Sequence, residues 1–186
     1  MSGGNGEMRG ARHAAGWPLL FALCLLASCV GKPPESPPAQ PIAFPARANR
    51  VLVLKAHHKL YLMRDETVLY SVPIALGRHP DGAKMELGDQ RTPEGRYVLD
   101  WRNPNSLFYR SIHISYPNAE DVARAEARGV SPGGDVMIHG LPEAQAKMGA
   151  RHAATDWTDG CIAVTNEEMD LIWRLVDDNT PIEIRP

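Results

Sequence analysis

Two short β-prone runs, each next to a glycine and a reactive side chain, constrain this chain most. Residues 136–138 lead to His139, which a glycine follows, and Gly160 directly precedes Cys161 at the start of the second run. Residues at the ends of strands can be brought together by one sheet. The pattern therefore predicts a β-rich domain built around a base, His139, and a nucleophile, Cys161.

Length and charge limit the class of protein. The chain has 186 residues, of which 44% are hydrophobic, enough for one globular domain with a core. Its formal net charge is -2. A chain without a basic excess has little to neutralise phosphates, so nucleic acid is not expected as a partner.

The N-terminal 28 residues have the layout of a secretory signal peptide. Arg9 and Arg12 precede an uncharged run over residues 17–27 that is too short to span a bilayer. The run ends Leu-Ala-Ser-Cys, which resembles a bacterial lipobox with Cys29 as the lipidated residue. A plain signal sequence with an incidental cysteine is the alternative.

Residues 29–49 are predicted to be a lipidated cysteine and a proline-rich tether. Prolines recur between small and polar residues, and such chains favour extended polyproline II. Val30 and Gly31 carry no acidic retention signal. We therefore expect a periplasmic protein anchored through Cys29 to the outer membrane.

Cys161 would then be the only free thiol of the mature protein, because Cys24 and Cys29 lie in the leader and at the anchor. An unpaired cysteine in an exported protein is buried and inert, pairs between chains, or does chemistry as a thiolate.

The domain at residues 50–186 reads as a series of short strands. β-branched and aliphatic runs predict strands at residues 51–55, 60–64, 68–76, 97–101, 111–115 and 181–184. His57 and His58 lie between two of them and indicate a turn rather than a metal site, since neighbours on a strand point to opposite faces.

Two helices are predicted. Residues 118–128 begin with Asn118 as N-cap and form a surface helix. Thr165 and Glu168 form a capping-box pattern, followed by a buried stripe of Met169, Ile172, Trp173 and Val176.

A cysteine nucleophile needs a base and an oxyanion site. His139 is expected to lower the pKa of Cys161, and backbone amides around Gly160 to face the developing oxyanion. Asp156, Asp159 and the carbonyl of Gly140 are three candidates for orienting His139. His113 is predicted to lie either in the core or along the cleft, and Arg91 and Tyr109 are further candidates for lining it.

Two separated motifs resemble the L,D-transpeptidase (YkuD-type) catalytic domain. One is His139-Gly140 followed by Thr158-Asp159-Gly160-Cys161-Ile162, and the other is the Gly-Asp-x-x-Thr-Pro-Glu-Gly-x-Tyr loop at residues 88–97. The resemblance covers residues 50–185. It implies a mainly β, sandwich or barrel-like domain with a few short helices.

The resemblance also implies a function. Cys161 would attack the carbonyl that joins diaminopimelate to D-alanine in a peptidoglycan stem peptide, and His139 would accept and donate the proton. Thr158 takes the family's usual Ser/Thr position and, with His113 and Asp159, is a candidate for substrate binding. No metal or organic cofactor is implied.

Two departures from the family pattern concern the second step. Asp159 stands where many members have a second histidine, and Ala163 where they have an arginine. Loss of a fixed cation changes how a substrate carboxylate is held. A hydrolase that trims stem peptides or releases a wall-linked protein, and an inactive wall-binding lipoprotein, are therefore the alternatives.

Overall fold

The computed structural model describes residues 46–186, and the predicted signal peptide, Cys29 and most of the tether lie outside these residues. The described part contains one eight-stranded sheet, with strands ordered β3-β2-β1-β8-β4-β5-β6-β7. The strands are β1 Arg50–Leu54, β2 Lys59–Arg64, β3 Thr67–Pro73, β4 Gly95–Ser106, β5 Tyr109–Ile114, β6 Met137–His139, β7 Ile162–Ala163 and β8 Thr180–Arg185.

The sheet mixes parallel and antiparallel pairs. β1 lies parallel to β8, and β6 lies parallel to β7, whereas the other neighbours run antiparallel. β1 alternates buried and partly exposed residues, as expected for a strand with one face on the core. The predicted mainly β domain is confirmed.

The two edges of the sheet are joined by the chain that leaves β3. Ala75 exchanges two backbone hydrogen bonds with Ala163 of β7, at 3.0 and 2.9 Å. Gly77 then pairs with Thr158. Because β3 and β7 are the first and last strands in the order, this segment curls the sheet into a barrel-like form.

The predicted strands match the observed ones to within about two residues at each end, except for two. The run at 68–76 ends as a strand at Pro73, because the following residues cross to β7. The run at 97–101 extends to Ser106 and forms a hairpin with β5 that contains two register shifts. Bulges of this kind are not visible in hydrophobic periodicity.

The helices are α1 Ala119–Glu126 and α2 Asn166–Leu175, with 3₁₀ segments at Lys55–His57 and Glu143–Ala154. Both predicted caps are confirmed: Asn118 and Thr165 each form a complete capping box. The 3₁₀ turns over Glu143–Ala154, which are interrupted by a kink at Gly149, were not predicted, since this polar, alanine-rich sequence has no apolar period.

The prediction that Trp173 belongs to the buried stripe of α2 is wrong. Met169, Ile172 and Val176 are fully buried and Leu175 nearly so, but Trp173 is only partly buried. The guanidinium groups of Arg102 and Arg110 lie 4.9 and 5.3 Å from its ring centroid. Trp173 thus covers the core edge and binds cations on its outer face.

Within residues 46–186, no helix has the length and hydrophobicity needed to span a membrane.

Candidate active site

The parallel pairing of β6 and β7 brings the two reactive side chains together. Ile138 lies opposite Ile162 and His139 opposite Ala163, so Cys161 directly precedes the strand that neighbours His139. Both His139 and Cys161 line one cavity of about 460 Å³. The sheet therefore joins the two ends of the stretch that the sequence singles out.

The carbonyl oxygen of Gly140 orients His139. It lies 2.7 Å from Nδ1, which in the neutral ring donates this bond and leaves Nε2 as the acceptor. The imidazole is 4% exposed. Burial lowers the pKa of His139 most, the Gly140 carbonyl opposes this, and the nearby His152 lowers the pKa further. His139 is thus a neutral base near pH 7.

The other two predicted partners of His139 have different roles. Asp156 contacts His58 Nε2 at 2.9 Å and accepts the amide of Leu76 at 2.7 Å. Asp159 contacts Arg78 and Gln90. The sequence could not select the group that orients His139, because the selection depends on the directions of side chains in the folded protein.

Helix α2 fixes the backbone beside His139. The Asn166 side chain accepts the Leu141 amide at 2.7 Å. A Cβ atom on Gly140 would lie 2.6 Å from the same Asn166 oxygen, so glycine is required for this close approach. The first residue of α2 thereby holds the segment whose carbonyl orients the histidine.

The surroundings of the Cys161 sulfur disfavour its charged form. Its Sγ accepts the Met137 amide at 3.4 Å. Removal from water raises the pKa of Cys161, and Asp159 and Asp135 raise it further, whereas the Met137 N–H and Lys84 lower it. The sequence predicts that His139 lowers the pKa of Cys161, but the thiol pKa is raised and the imidazole pKa is lowered, which favours a neutral pair.

Thr158 and Gly160 shape the loop that carries Cys161. The Thr158 hydroxyl donates to the Cys161 carbonyl at 2.8 Å and accepts the Gly160 amide at 3.1 Å. The Gly160 amide is thus bonded within the loop, and the oxyanion role of the amides around Gly160 and Cys161 stays a prediction. Thr158 lines the cavity, but its hydroxyl serves the loop rather than remaining free for a substrate.

Gly160 is required for its backbone shape. Its φ is +128°, and a Cβ atom there would lie 2.6 Å from the Arg91 carbonyl oxygen. Both the dihedral angle and the contact exclude larger residues. The loop at residues 88–97, which carries the second motif, therefore packs directly against the backbone of Gly160, next to Cys161.

Asp159 lies where two cavities meet. A second cavity of about 430 Å³ shares Asp135, Asp159 and Cys161 with the first. The Asp159 carboxylate forms an ion pair with Arg78 and accepts Gln90 Nε2 at 3.0 Å. Cys161 is consequently open to two separate spaces.

Two aromatic residues of the site were not predicted. The rings of Phe108 and Trp157 lie 4.6 and 5.8 Å from the His139 ring, and both line the larger cavity. Trp157 directly precedes the nucleophile motif, a position that could have signalled it. Phe108 comes from the tip of the β4–β5 hairpin, far away in sequence.

Three predicted lining residues are corrected. His113 lines neither cavity, because Nδ1 lies 2.7 Å from Asp100 and its ring stacks 4.9 Å from Trp101. Tyr109 donates to Asp170 at 3.0 Å, outside both cavities. The Arg91 side chain borders a third, smaller cavity, and its carbonyl supports Gly160.

Residues 46–186 contain no group of three or more His, Cys, Asp or Glu side chains arranged to hold a metal ion.

The fold and the site define a member of a known catalytic family. The L,D-transpeptidase catalytic domain family (YkuD) matches residues 48–184, and the chain belongs to this family. YafK of Escherichia coli (strain K12), named as a candidate L,D-transpeptidase, is 35% identical over 99 residues. That match covers 51% of this chain and 32% of YafK, so the chain spans about a third of its relative.

Solved structures share the fold. The helical cell shape determining protein Pgp2 from Campylobacter jejuni has a TM-score of 0.54 at 24% identity, covering 73% of this chain and 46% of Pgp2. Bd1075 from Bdellovibrio bacteriovorus has a TM-score of 0.51 at 24% identity, covering 75% of this chain and 48% of Bd1075. At these identities the likeness concerns the fold alone.

Proposed function

We propose that this protein is a peptidoglycan L,D-transpeptidase that acts through a thioester on Cys161. The observation that carries the proposal is that Cys161 and His139 line one cavity, with His139 Nδ1 bound to the Gly140 carbonyl. This bond leaves Nε2 to accept a proton. Nucleophilic catalysis by a neutral thiol requires such a base beside it.

Acyl-enzyme formation follows from this geometry. The sulfur attacks the carbonyl carbon between diaminopimelate and D-alanine while its proton passes to His139 Nε2. The C–N bond then breaks, and His139 returns the proton to the departing amine. A thioester on Cys161 and a free amino acid result.

The second half-reaction restores the thiol. An acceptor amine attacks the thioester carbon, its proton passes to His139, and the C–S bond breaks. The sulfur leaves as thiolate and recovers the proton from His139. The two cavities that meet at Cys161 support transfer, because they offer space for a donor and an acceptor peptide.

Mass analysis of products tests the proposal. The protein incubated with purified muropeptides should form new dimers and release D-alanine. Shortened monomers without dimers would instead establish a hydrolase, in which water replaces the amine. Cys161→Ala should abolish both products and keep the fold, and retained activity would contradict the nucleophile assignment.

Labelling of the thiol separates an enzyme from a binding protein on the same fold. A carbapenem should acylate Cys161 in the folded protein. Labelling only after unfolding would favour a wall-binding protein without catalysis.

The cellular location is a further part of the proposal. We infer a periplasmic lipoprotein anchored through Cys29, supported by the Leu-Ala-Ser-Cys sequence at residues 26–29. Cys29→Ser should move the protein from the membrane to the soluble fraction. Unchanged fractionation would refute the anchor. Since Pgp2 is described as determining helical cell shape, cell morphology is a suitable second readout.

A further inference from the structure

An ion pair stands on the rim of the cleft beside the nucleophile. Arg78 contacts Asp159, and their side chains are 49% and 77% exposed. Arg78 lines the larger cavity, and Asp159 lines both. The pair therefore borders the space in which a substrate of Cys161 must lie.

The backbone fixes the position of this pair without its help. The Arg78 amide donates to the Thr158 carbonyl at 3.0 Å, and the His79 amide donates to the Gln90 carbonyl at 3.1 Å. The Gly77 amide donates to Thr92 Oγ1 at 3.0 Å. An exposed ion pair contributes little to stability. Because the backbone bonds hold the segment in place, the charges of Arg78 and Asp159 are available to bind a ligand.

Much of the hydrogen-bonding capacity of the pair is unused. Asp159 Oδ1 accepts from Arg78 Nη1 and Gln90 Nε2. Within residues 46–186, neither Asp159 Oδ2 nor the remaining nitrogens of the Arg78 guanidinium make a hydrogen bond. One carboxylate oxygen and most of a planar fork of donors remain free.

The charges that line the two cavities favour one class of ligand. The other cation, Lys84, is 4% exposed and already bound to Asp89 and Glu86. Asp135 adds a second acid beside Cys161. A lone carboxylate would meet the repulsion of Asp135 and Asp159, and a lone ammonium would leave the free donors of Arg78 without a partner. A group with both charges matches the pair.

We propose that Arg78 and Asp159 together bind the zwitterionic α-amino acid end of the substrate, with its carboxylate on Arg78 and its ammonium on Asp159. The inference rests on the proposed function. Diaminopimelate carries such an end at its second centre, separated from the reacting carbonyl by five carbon–carbon bonds, about 6 Å. On the protein, two residues of extended chain, as from Asp159 to Cys161, span at most about 7 Å. The two spacings are therefore compatible.

The proposal gives a physical role to the two departures in the nucleophile motif. Ala163 is fully buried and provides no cation. Arg78 supplies one from a different part of the chain, and Asp159, in place of histidine, both orients it and adds the opposite charge. A bidentate guanidinium is well suited to a carboxylate.

Calorimetric titration of the Cys161→Ala protein tests the proposal, because this variant binds stem peptides without cleaving them. Tetrapeptides with diaminopimelate or lysine at the third position differ by the carboxylate of the second centre. We expect about tenfold tighter binding of the diaminopimelate peptide, about 1.4 kcal/mol. Arg78→Gln should remove the difference, and Arg78→Lys should keep part of it.

The ammonium half is tested with a diaminopimelate peptide acetylated on the second amine. Acetylation should weaken binding to the Cys161→Ala protein. It should not change binding when Asp159→Asn is added to that protein. Arg47→Gln and Asp177→Asn are matched controls, since this exposed ion pair lies outside both cavities. Thermal melts confirm that each variant is folded.

A preference for diaminopimelate that survives Arg78→Gln, or an acetylation effect that survives Asp159→Asn, would overturn the inference. Carbapenem acylation of Cys161 in the Arg78→Gln protein tests the proposed function separately. Normal acylation with an unchanged preference would reject the binding site and leave the acyl-enzyme proposal intact.

Discussion

Removal from water disfavours the charged forms of both Cys161 and His139. Burial and two nearby carboxylates raise the pKa of the thiol, and burial lowers the pKa of the imidazole. In the proposed mechanism, proton transfer to His139 would then accompany attack by the sulfur rather than precede it. The consequence is a broad pH range in which thiol and free base coexist.

The pH dependence of Cys161 alkylation is the first prediction. The rate with neutral iodoacetamide should rise with a midpoint above the ordinary thiol value of about 8.5, because the pKa is raised. As the pH falls, kcat/KM should decrease with a midpoint below about 6.5, because protonation of His139, whose pKa is lowered, removes the base. Mass spectrometry of the peptide that contains Cys161 isolates this thiol. A single alkylation midpoint below about 7 would instead indicate a thiolate–imidazolium pair.

Gly160→Ala is the second prediction. A side chain at φ +128° is strained and would collide with the Arg91 carbonyl, so we expect a loss of about 3 kcal/mol in the free energy of unfolding. Acylation of Cys161 should fall as well, because the loop must move. Urea denaturation and carbapenem labelling measure the two effects.

Gly129→Ala is the matched control for that change. Gly129 has φ +68°, and no atom lies within 4 Å of the position that a Cβ would take there, so only backbone strain of about 1 kcal/mol is expected. Equal losses for both variants would show that the contact with Arg91 does not matter.

At the scale of elements, α2 connects the core to the segment beside His139. Its buried face carries Met169 and Ile172, and Thr165 and Glu168 cap its start. Asn166, its first residue, reaches across to the Leu141 amide. A helix held by the core thus positions the Gly140 carbonyl that orients His139.

Asn166→Ala should reduce turnover as well as stability. The variant leaves the Leu141 amide without its acceptor, at a cost of about 1–3 kcal/mol, and frees the Gly140 segment. We expect kcat to fall by about tenfold or more, measured on muropeptides at a temperature where the protein is folded.

Asn118→Ala provides the comparison for Asn166. Asn118 caps α1, which lies away from both cavities, so its loss should cost about 1 kcal/mol and leave kcat unchanged. If the two variants lost activity in proportion to stability, Asn166 would have only a structural role.

At the scale of the whole molecule, one buried lysine joins the sheet to the loops around the site. Lys55, directly after β1, is 3% exposed. Its ammonium donates to the Gly82 and Thr92 carbonyls at 2.6 and 3.2 Å and to Glu94 at 2.7 Å. The loop at residues 88–97 is therefore tied to the far side of the sheet.

Lys55→Met should destabilise the domain by about 3–5 kcal/mol, because Glu94 and two carbonyls lose a buried cation. Adding Glu94→Gln should recover part of this loss by removing the unpaired charge. Lys147→Met, at an exposed position, is the control and should have little effect. Chemical denaturation measures all three, and a neutral Lys55→Met would contradict the bridging role.

The sequence alone determined the local features of this protein. Alternating burial in short strands, the Asn118 and Thr165 caps and the glycine beside each reactive residue follow from chain geometry within a few residues. These features were sufficient to predict the mainly β class and the pair His139 and Cys161.

Only the tertiary structure decided the environment of that pair. The parallel contact of β6 and β7, the cleft wall from Phe108 and Arg78, and the choice of the Gly140 carbonyl for His139 join residues distant in sequence or depend on side-chain direction. The sequence predicted a lowered pKa for Cys161, and the pKa is instead raised for the same reason. A pKa depends on burial and neighbouring charges in space, and neither is a property of local sequence.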